Sequence, residues 1–379
     1  MIALRIALIT FVARGAGAQY TAQLANALSK SNEVAVIVPN YANAQYFDRE
    51  VRLVTLSIPL GLTRAMVKVS SPFFLQSLLK MITEMQPDVL HVVFEHRFAF
   101  PCAFLLYRKY PMVVTIHEPR AIPNRGRIAN ALVALIQYMN NRLVVEFSDK
   151  VIIHGIELAG CRLISKLPNH KVEIVPHGDF SFFAPSGEIV EAQKNNILFF
   201  GRVVPYKGIE YLIQAGKLVR NQISDMTVTI AGEGNFAKYE RLIKGDSHFI
   251  IYNRFISDVE VAQLFQKATL VALPYTDGSQ TGIISIAGNF KKPVIATDVG
   301  SFSQMVENGK VGFIVPPRDA SALAEAIIKL LKDDKLRQEM GENAHKAVKQ
   351  KFSWDDIAQQ TLKVYGEAIK LYERRRGYT

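Results

Sequence analysis

The 379-residue chain has two cysteines, Cys102 and Cys161, and one tryptophan. The cysteines form no C-x-x-C pair, and two are too few for a zinc cluster or a disulfide framework. They read as buried thiols of a reducing compartment. No apolar run approaches the ~20 residues that a membrane-spanning helix needs. The opening run Ile6–Ala13 is short, leads into a glycine loop and carries no small-residue cleavage signature, so it reads as a strand and not a leader peptide. These absences point to a cytoplasmic protein and leave peripheral contact with the inner face of a membrane open. There is no short-period repeat and no low-complexity segment.

What is present is a folding composition: 49% hydrophobic and 21% charged residues, in a chain long enough for two domains. The net charge is +11. Residues 1–180 carry 19 basic and 12 acidic residues, and the remainder 26 and 22, so the first half is the more basic. That balance suits an anionic partner such as a nucleotide or a phospholipid surface. Nucleic acid ranks last. The basic residues are dispersed, and neither an aromatic-interleaved basic motif nor a helix-turn-helix signature accompanies them.

Short apolar runs alternate with helical patterns, the signature of parallel sheets flanked by helices. Strands are expected near 3–12, 33–38, 51–56, 88–94, 112–117, 150–154 and 172–176. A second series is expected near 196–201, 226–231, 248–252, 269–273, 293–297 and 312–315. Each series makes one doubly wound sheet. Residues 177–195 have linker-like composition. The expected domains are therefore 1–180 and 181–351, followed by an amphipathic helix over 352–379 whose Arg374-Arg375-Arg376 end reads as solvated. Ligands of open α/β sheets bind beyond the carboxyl ends of the strands. Two such sheets facing each other would leave a cleft, so the residues just after each strand are the place to look for chemistry.

The loop after the first strand contains Gly15 and Gly17, which let a backbone approach a phosphate or sugar at a helix N-terminus. The dinucleotide fingerprint fails there: Tyr20 stands where a third glycine belongs, and the second strand ends in Pro39-Asn40-Tyr41 without an acid. A plain strand-to-helix turn is an equal reading of this loop. The strongest segment runs from Ile197 to Gly208. An apolar strand ends at Gly201, Arg202 follows at once, and Lys207 precedes the helical pattern Ile209, Leu212, Ile213, Ala215. Two fixed cations beside a helix N-terminus make a diphosphate clamp. His117 and Glu118 end one strand, and Glu95 and His96 end another on the same side. Glu233 and Asp298 sit in glycine turns, where a turn-stabilising role competes with ligand binding.

These residues carry a resemblance. Gly201-Arg202…Lys207-Gly208 resembles the donor diphosphate motif of retaining glycosyltransferases of family 4, which have the two-domain GT-B fold. Val114–Glu118, Ser148–Ile152, Val175–Asp179, Ala231–Gly234, Pro293–Gly300, Gly312–Val315 and Phe352–Trp354 are similar to further segments of that family, in order along almost the whole chain. One departure stands out. The family often has two glutamates separated by seven residues ahead of the Pro293-Val294 position, and here those places hold Gly278 and Ile286. The segment Asp277-Gly278-Ser279-Gln280-Thr281-Gly282 resembles a variant with a small polar turn, and Asp277 is a candidate replacement for the first acid.

The resemblance implies a retaining, metal-independent glycosyltransferase with no cofactor beyond its co-substrate, a nucleotide-diphosphate sugar. Its catalytic residues would be His117, Arg202 and Lys207. The donor would be held by Gly15, Gly17, Gly201, Glu233, Asp277, Ser279, Gln280, Thr281 and Gly282, and Glu118, Glu95 and His96 would lie on the acceptor side. Domain closure would complete the site, and the last helix would return to the first domain. The implied acceptor is a saccharide, lipid-linked or not, in surface polysaccharide or glycoconjugate assembly. The apolar stretches Ile128–Tyr138 and Ile58–Leu79 with their basic flanks are compatible with an anionic membrane surface as a further partner, and equally with core helices. The missing glutamates keep a catalytically inactive nucleotide-sugar or polysaccharide-binding relative as the alternative, and a phosphorylase or epimerase of the same fold also stays open.

Overall fold

The computed structural model describes residues 3–13, 15–59, 68, 71–93, 104–117, 127–183, 190–278, 281–351 and 353–377. Apolar runs that pack on both faces favour parallel strands with helices above and below, and two such sheets result. The first holds β1 (Arg5–Ile9), β2 (Glu33–Pro39), β3 (Arg52–Leu56), β4 (Val89–Val92), β5 (Met112–Ile116), β6 (Lys150–Ile153) and β7 (Val172–Ile174) in the order β3-β2-β1-β4-β5-β6-β7. The second holds β8 (Asn196–Phe200), β9 (Thr227–Ala231), β10 (Phe249–Tyr252), β11 (Leu270–Leu273), β12 (Val294–Thr297) and β13 (Gly312–Val315) in the order β10-β9-β8-β11-β12-β13. Every pairing is parallel. The expected doubly wound α/β architecture is the one found.

The chain divides into two compact units, Met1–Gly178 with Trp354–Thr379, and Asp179–Ser353. The division falls two residues ahead of position 180 because Phe180 and Phe183 are buried in the second unit's core. Part of the stretch with linker-like composition is therefore core.

In each sheet the winding reverses beside one strand. β1 pairs with β2 on one side and β4 on the other. β8 likewise lies beside both β9 and β11. Connections leave in opposite directions at these points, which opens a crevice beyond the strands' carboxyl ends. The loop after β1 leads into helix α1 (Ala16–Ser29), and the loop after β8 into α2 (Ile209–Arg220).

The last helix, α3 (Trp354–Arg376), belongs to the first unit. Its buried stripe of Trp354, Ile357, Ala358, Thr361, Val364, Tyr365 and Ala368 has helical period and packs on α1 and on β4 to β6. Trp354 crosses so close to Gly178 that a Cβ there would lie 2.4 Å from the indole ring. The far end of α3 is tied down by charge. Arg375 stacks on Tyr107 at 3.5 Å and bonds Asp149 at 3.3 Å, while buried Lys150 pairs with Glu367 and, at 2.8 Å, with Glu173. The basic terminus expected to be solvated is thus partly an anchor. Within Ile58–Leu79, residues 60–67, 69 and 70 lie outside the described residues. The helix Pro72–Met85 buries Phe74, Leu78 and Ile82 as a core helix does and exposes Phe73. No described helix is long and apolar enough to cross a membrane.

Candidate active site

The loops after β8 and β11 meet at the switch point of the second sheet. Gly201 takes φ +131° and Gly232 φ +146°, and a Cβ on Gly232 would lie 2.0 Å from the carbonyl oxygen of Gly201. Only glycine lets these two turns close on each other. Val203 N–H donates to the Glu233 carbonyl at 2.9 Å, so Glu233 braces the loop through its backbone while its side chain is exposed. Pro205–Lys207 form a single 3-10 turn, and Gly208 in the left-handed region (φ +65°) starts α2. A Cβ on Gly208 would lie 1.9 Å from the Pro274 carbonyl oxygen, so the loops touch backbone to backbone.

This contact sets Lys207 against the β11 loop. Its Nζ lies 3.6 Å from the centroid of buried Tyr275 and 5.4 Å from that of Tyr206. Burial, and then Arg202, pull the ammonium down to about pKa 7. Among the described residues, neither Arg202 nor Lys207 forms an ion pair. Tyr275 is itself fixed. Its hydroxyl lies 3.4 Å from Thr281 Oγ1, its carbonyl accepts from Thr297 Oγ1 at 2.6 Å, and its ring packs on Phe302. Asp277 is exposed and accepts from Gly278 N at 2.7 Å. Gly282 has no room for a side chain, since a Cβ would meet Phe180 at 2.1 Å. The arrangement is two cations, one half-buried on an aromatic face, at the switch point of a parallel sheet.

The carboxyl edge of the first sheet holds histidines. His117 follows β5, His154 follows β6 and His177 follows β7. Tyr20 of α1 packs on all three, with centroid distances of 4.8, 5.2 and 4.8 Å, and on Trp354 at 5.3 Å. Deeper in the same unit, His91 of β4 contacts Tyr365 Oη and Thr115 Oγ1, both at 2.7 Å. Burial lowers the pKa of all four imidazoles, that of His91 and His154 to about 3. Among the described residues, no group of three or more His, Cys, Asp or Glu side chains fits a metal ion.

The two units thus separate the expected residues. Arg202, Lys207, Gly201, Glu233, Asp277, Thr281 and Gly282 lie in the second, where Lys207 and Thr281 both reach Tyr275. His117 lies in the first with Gly15, whose φ is +71°, and buried Gly17. Glu95, His96, Glu118, Ser279 and Gln280 lie outside the described residues. Tyr275, His91 and His154 carry part of this arrangement without having been singled out from the sequence. For His154 there was a signal, since a histidine follows each of three consecutive strands.

Two family models match the chain in series: glycosyltransferase family 4 over residues 17–178 and glycosyl transferases group 1 over residues 186–347. An uncharacterized glycosyltransferase of Methanocaldococcus jannaschii is 32% identical over 303 residues, covering 74% of this chain and 75% of its own. The chain is a family 4-type glycosyltransferase. A phosphatidyl-myo-inositol mannosyltransferase of Mycobacterium leprae is 30% identical over 171 residues, 45% of this chain and 46% of the relative. The glycosyltransferase spans about half the length of several curated relatives that it matches. Its fold is the GT-B fold of solved structures. Sucrose-phosphate synthase from Thermosynechococcus elongatus superposes with TM-score 0.77 at 21% identity, over 96% of this chain and 98% of that one. The Anabaena protein HepE in complex with UDP-glucose gives 0.71 at 19% identity, over 95% and 99%. In this glycosyltransferase, the two places where the resemblance expects glutamates are structurally unlike each other. Gly278 takes φ +141°, and Ile286 is 3% exposed in the core.

Proposed function

We propose that this chain is a retaining glycosyltransferase that takes its sugar from a nucleotide-diphosphate donor held in the second unit and passes it to a saccharide acceptor, lipid-linked or free, held on the first. The observation that carries this reading is the pairing of Arg202 with Lys207 in one glycine-shaped loop, with Lys207 half-buried on Tyr275. Departure of a nucleoside diphosphate builds negative charge as the sugar becomes oxocarbenium-like. Two fixed cations in a partly dry site stabilise that charge more than water does. They also meet it without a metal, so turnover is expected to survive chelation by EDTA. The acceptor hydroxyl attacks from the face the diphosphate leaves, and its proton passes to the departing phosphate. No carboxylate nucleophile is needed on that route, which accommodates Gly278 and Ile286. Support for the donor class comes from HepE, solved with UDP-glucose. Support for a lipid-linked acceptor comes from the mannosyltransferase relative, named for phosphatidyl-myo-inositol.

The buried Ile286 favours a second reading, a relative that binds nucleotide sugar without transfer. A thermal-shift panel of UDP, GDP, ADP and their common sugars on wild type and Lys207→Ala tests the donor clamp. A ligand at about 100 times its dissociation constant stabilises by roughly 2.7 kcal/mol. A shift confined to the wild type supports the clamp, and donor hydrolysis then separates an enzyme from a binder. No shift with any nucleotide refutes it.

A further inference from the structure

Two of the imidazoles at the edge of the first sheet touch in a way that constrains their protons. His117 Nε2 lies 3.0 Å from the carbonyl oxygen of Val93, and His154 Nδ1 lies 2.9 Å from that of Val175. His117 Nδ1 faces His154 Nε2 at 3.0 Å. A carbonyl oxygen only accepts, so each of the first two contacts needs an N–H. Two neutral imidazoles own two such protons, and both are then spent on carbonyls. Two lone pairs are left facing each other across the third contact. Moving either proton into that gap leaves a lone pair facing a carbonyl instead. All three hydrogen bonds form only when the two rings hold three protons and hence one positive charge. His91 differs, because its two partners are hydroxyls, which donate or accept, and a neutral ring satisfies both.

We propose that His154 is a positioning residue for His117, and that the two imidazoles titrate as one unit holding a third, shared proton. The inference stands on the first unit alone and holds whether or not the chain transfers a sugar. Among the described residues, the groups that face the pair are Tyr20 on α1, His91 on β4 and His177 after β7. Among the described residues, no carboxylate, lysine or arginine acts on either ring. Burial and the other imidazoles oppose the charge, while the two carbonyls favour it. The unit's own pKa therefore lies below that of free histidine and belongs to the pair rather than to either ring.

His154→Gln separates this from a packing role. A glutamine amide N–H donates to His117 Nδ1 and so satisfies a neutral His117 without a third proton. The experiment is a pH titration of the full chain labelled with 15N-histidine, wild type beside His154→Gln. In the wild type, the His117 and His154 nitrogens are expected to move together as pH falls, ending with three protonated nitrogens and one strongly deshielded shared proton. In His154→Gln, the protonation of His117 is expected to shift to lower pH by about one unit or more, a tenfold change in proton affinity. Unmoved His91 resonances report that the variant keeps its fold. Separate transitions for the two rings, or the same His117 titration in both proteins, would overturn the proposal.

Discussion

Lys207 sits on an aromatic face with a cation for a neighbour, and its ordinary charge is correspondingly costly to keep. With a pKa of about 7 in the ligand-free protein, it is partly neutral at neutral pH. A bound diphosphate favours the charged form. Affinity for a nucleoside diphosphate is therefore expected to fall as pH rises above 7, by up to about tenfold per unit, as titration calorimetry from pH 7 to 9 can show. The proton is taken up on binding, so the heat should depend on the ionisation enthalpy of the buffer. Lys207→Ala is expected to cost on the order of 10²–10³ in turnover and to abolish this pH dependence. Lys207 and Arg202 are legible in the sequence because the cations, the glycines and the strand end all lie within one short segment. Tyr275 is not, because an apolar strand followed by a tyrosine looks the same whether or not a lysine from 68 residues earlier lies on its ring. His154 is hidden in the same way, since its partner is 37 residues away.

Single elements are held by a few contacts whose loss can be measured. His91 lies in the middle of β4 with both nitrogens bonded, and its pKa is about 3 in the fold against about 6.5 when unfolded. The unfolded chain therefore binds this proton first as pH falls. The stabilisation is complete above about pH 6.5 and is lost toward pH 3, at up to about 1.4 kcal/mol per pH unit. Urea midpoints measured across that range should fall more steeply for the wild type than for His91→Gln. The start of α2 is a second test. Gly208→Ala adds roughly 1–2 kcal/mol of left-handed strain to a clash with the Pro274 carbonyl, and should lower the melting temperature of the second unit while weakening nucleotide binding. Most of the strands among the described residues were readable because they are apolar runs with a turn signal at the end. The anchoring role of Arg375 was not, because a basic residue in a helix's last turn looks alike whether it meets water or Tyr107.

Across the whole molecule, the division of the chain is asymmetric. The second unit is one continuous segment with its own core. The first is closed by a helix that follows the second in sequence. A fragment spanning Asp179–Ser353 is expected to unfold cooperatively and to show a nucleotide-dependent thermal shift by itself. Loss of that shift in the isolated fragment would place donor binding on more than this unit. The sequence shows two parallel sheets and a final helix. It does not show how much the first sheet depends on that helix, since the dependence runs through Trp354 over Gly178 and Tyr365 against His91, contacts that join residues more than 170 positions apart.

That dependence sets an order of events at the ribosome. When Val175 emerges, the first sheet has all its strands, yet the edge near Gly178 lacks its indole and His91 lacks a hydroxyl partner. The 175 residues of the second unit must be made before α3 arrives, on the order of ten seconds or more at ~5–20 residues per second. During that interval the second unit can fold completely while the first waits with an open flank. The later half of the gene therefore encodes the domain that is free to finish first, and a chaperone recruited during synthesis would find its site on the half made earlier.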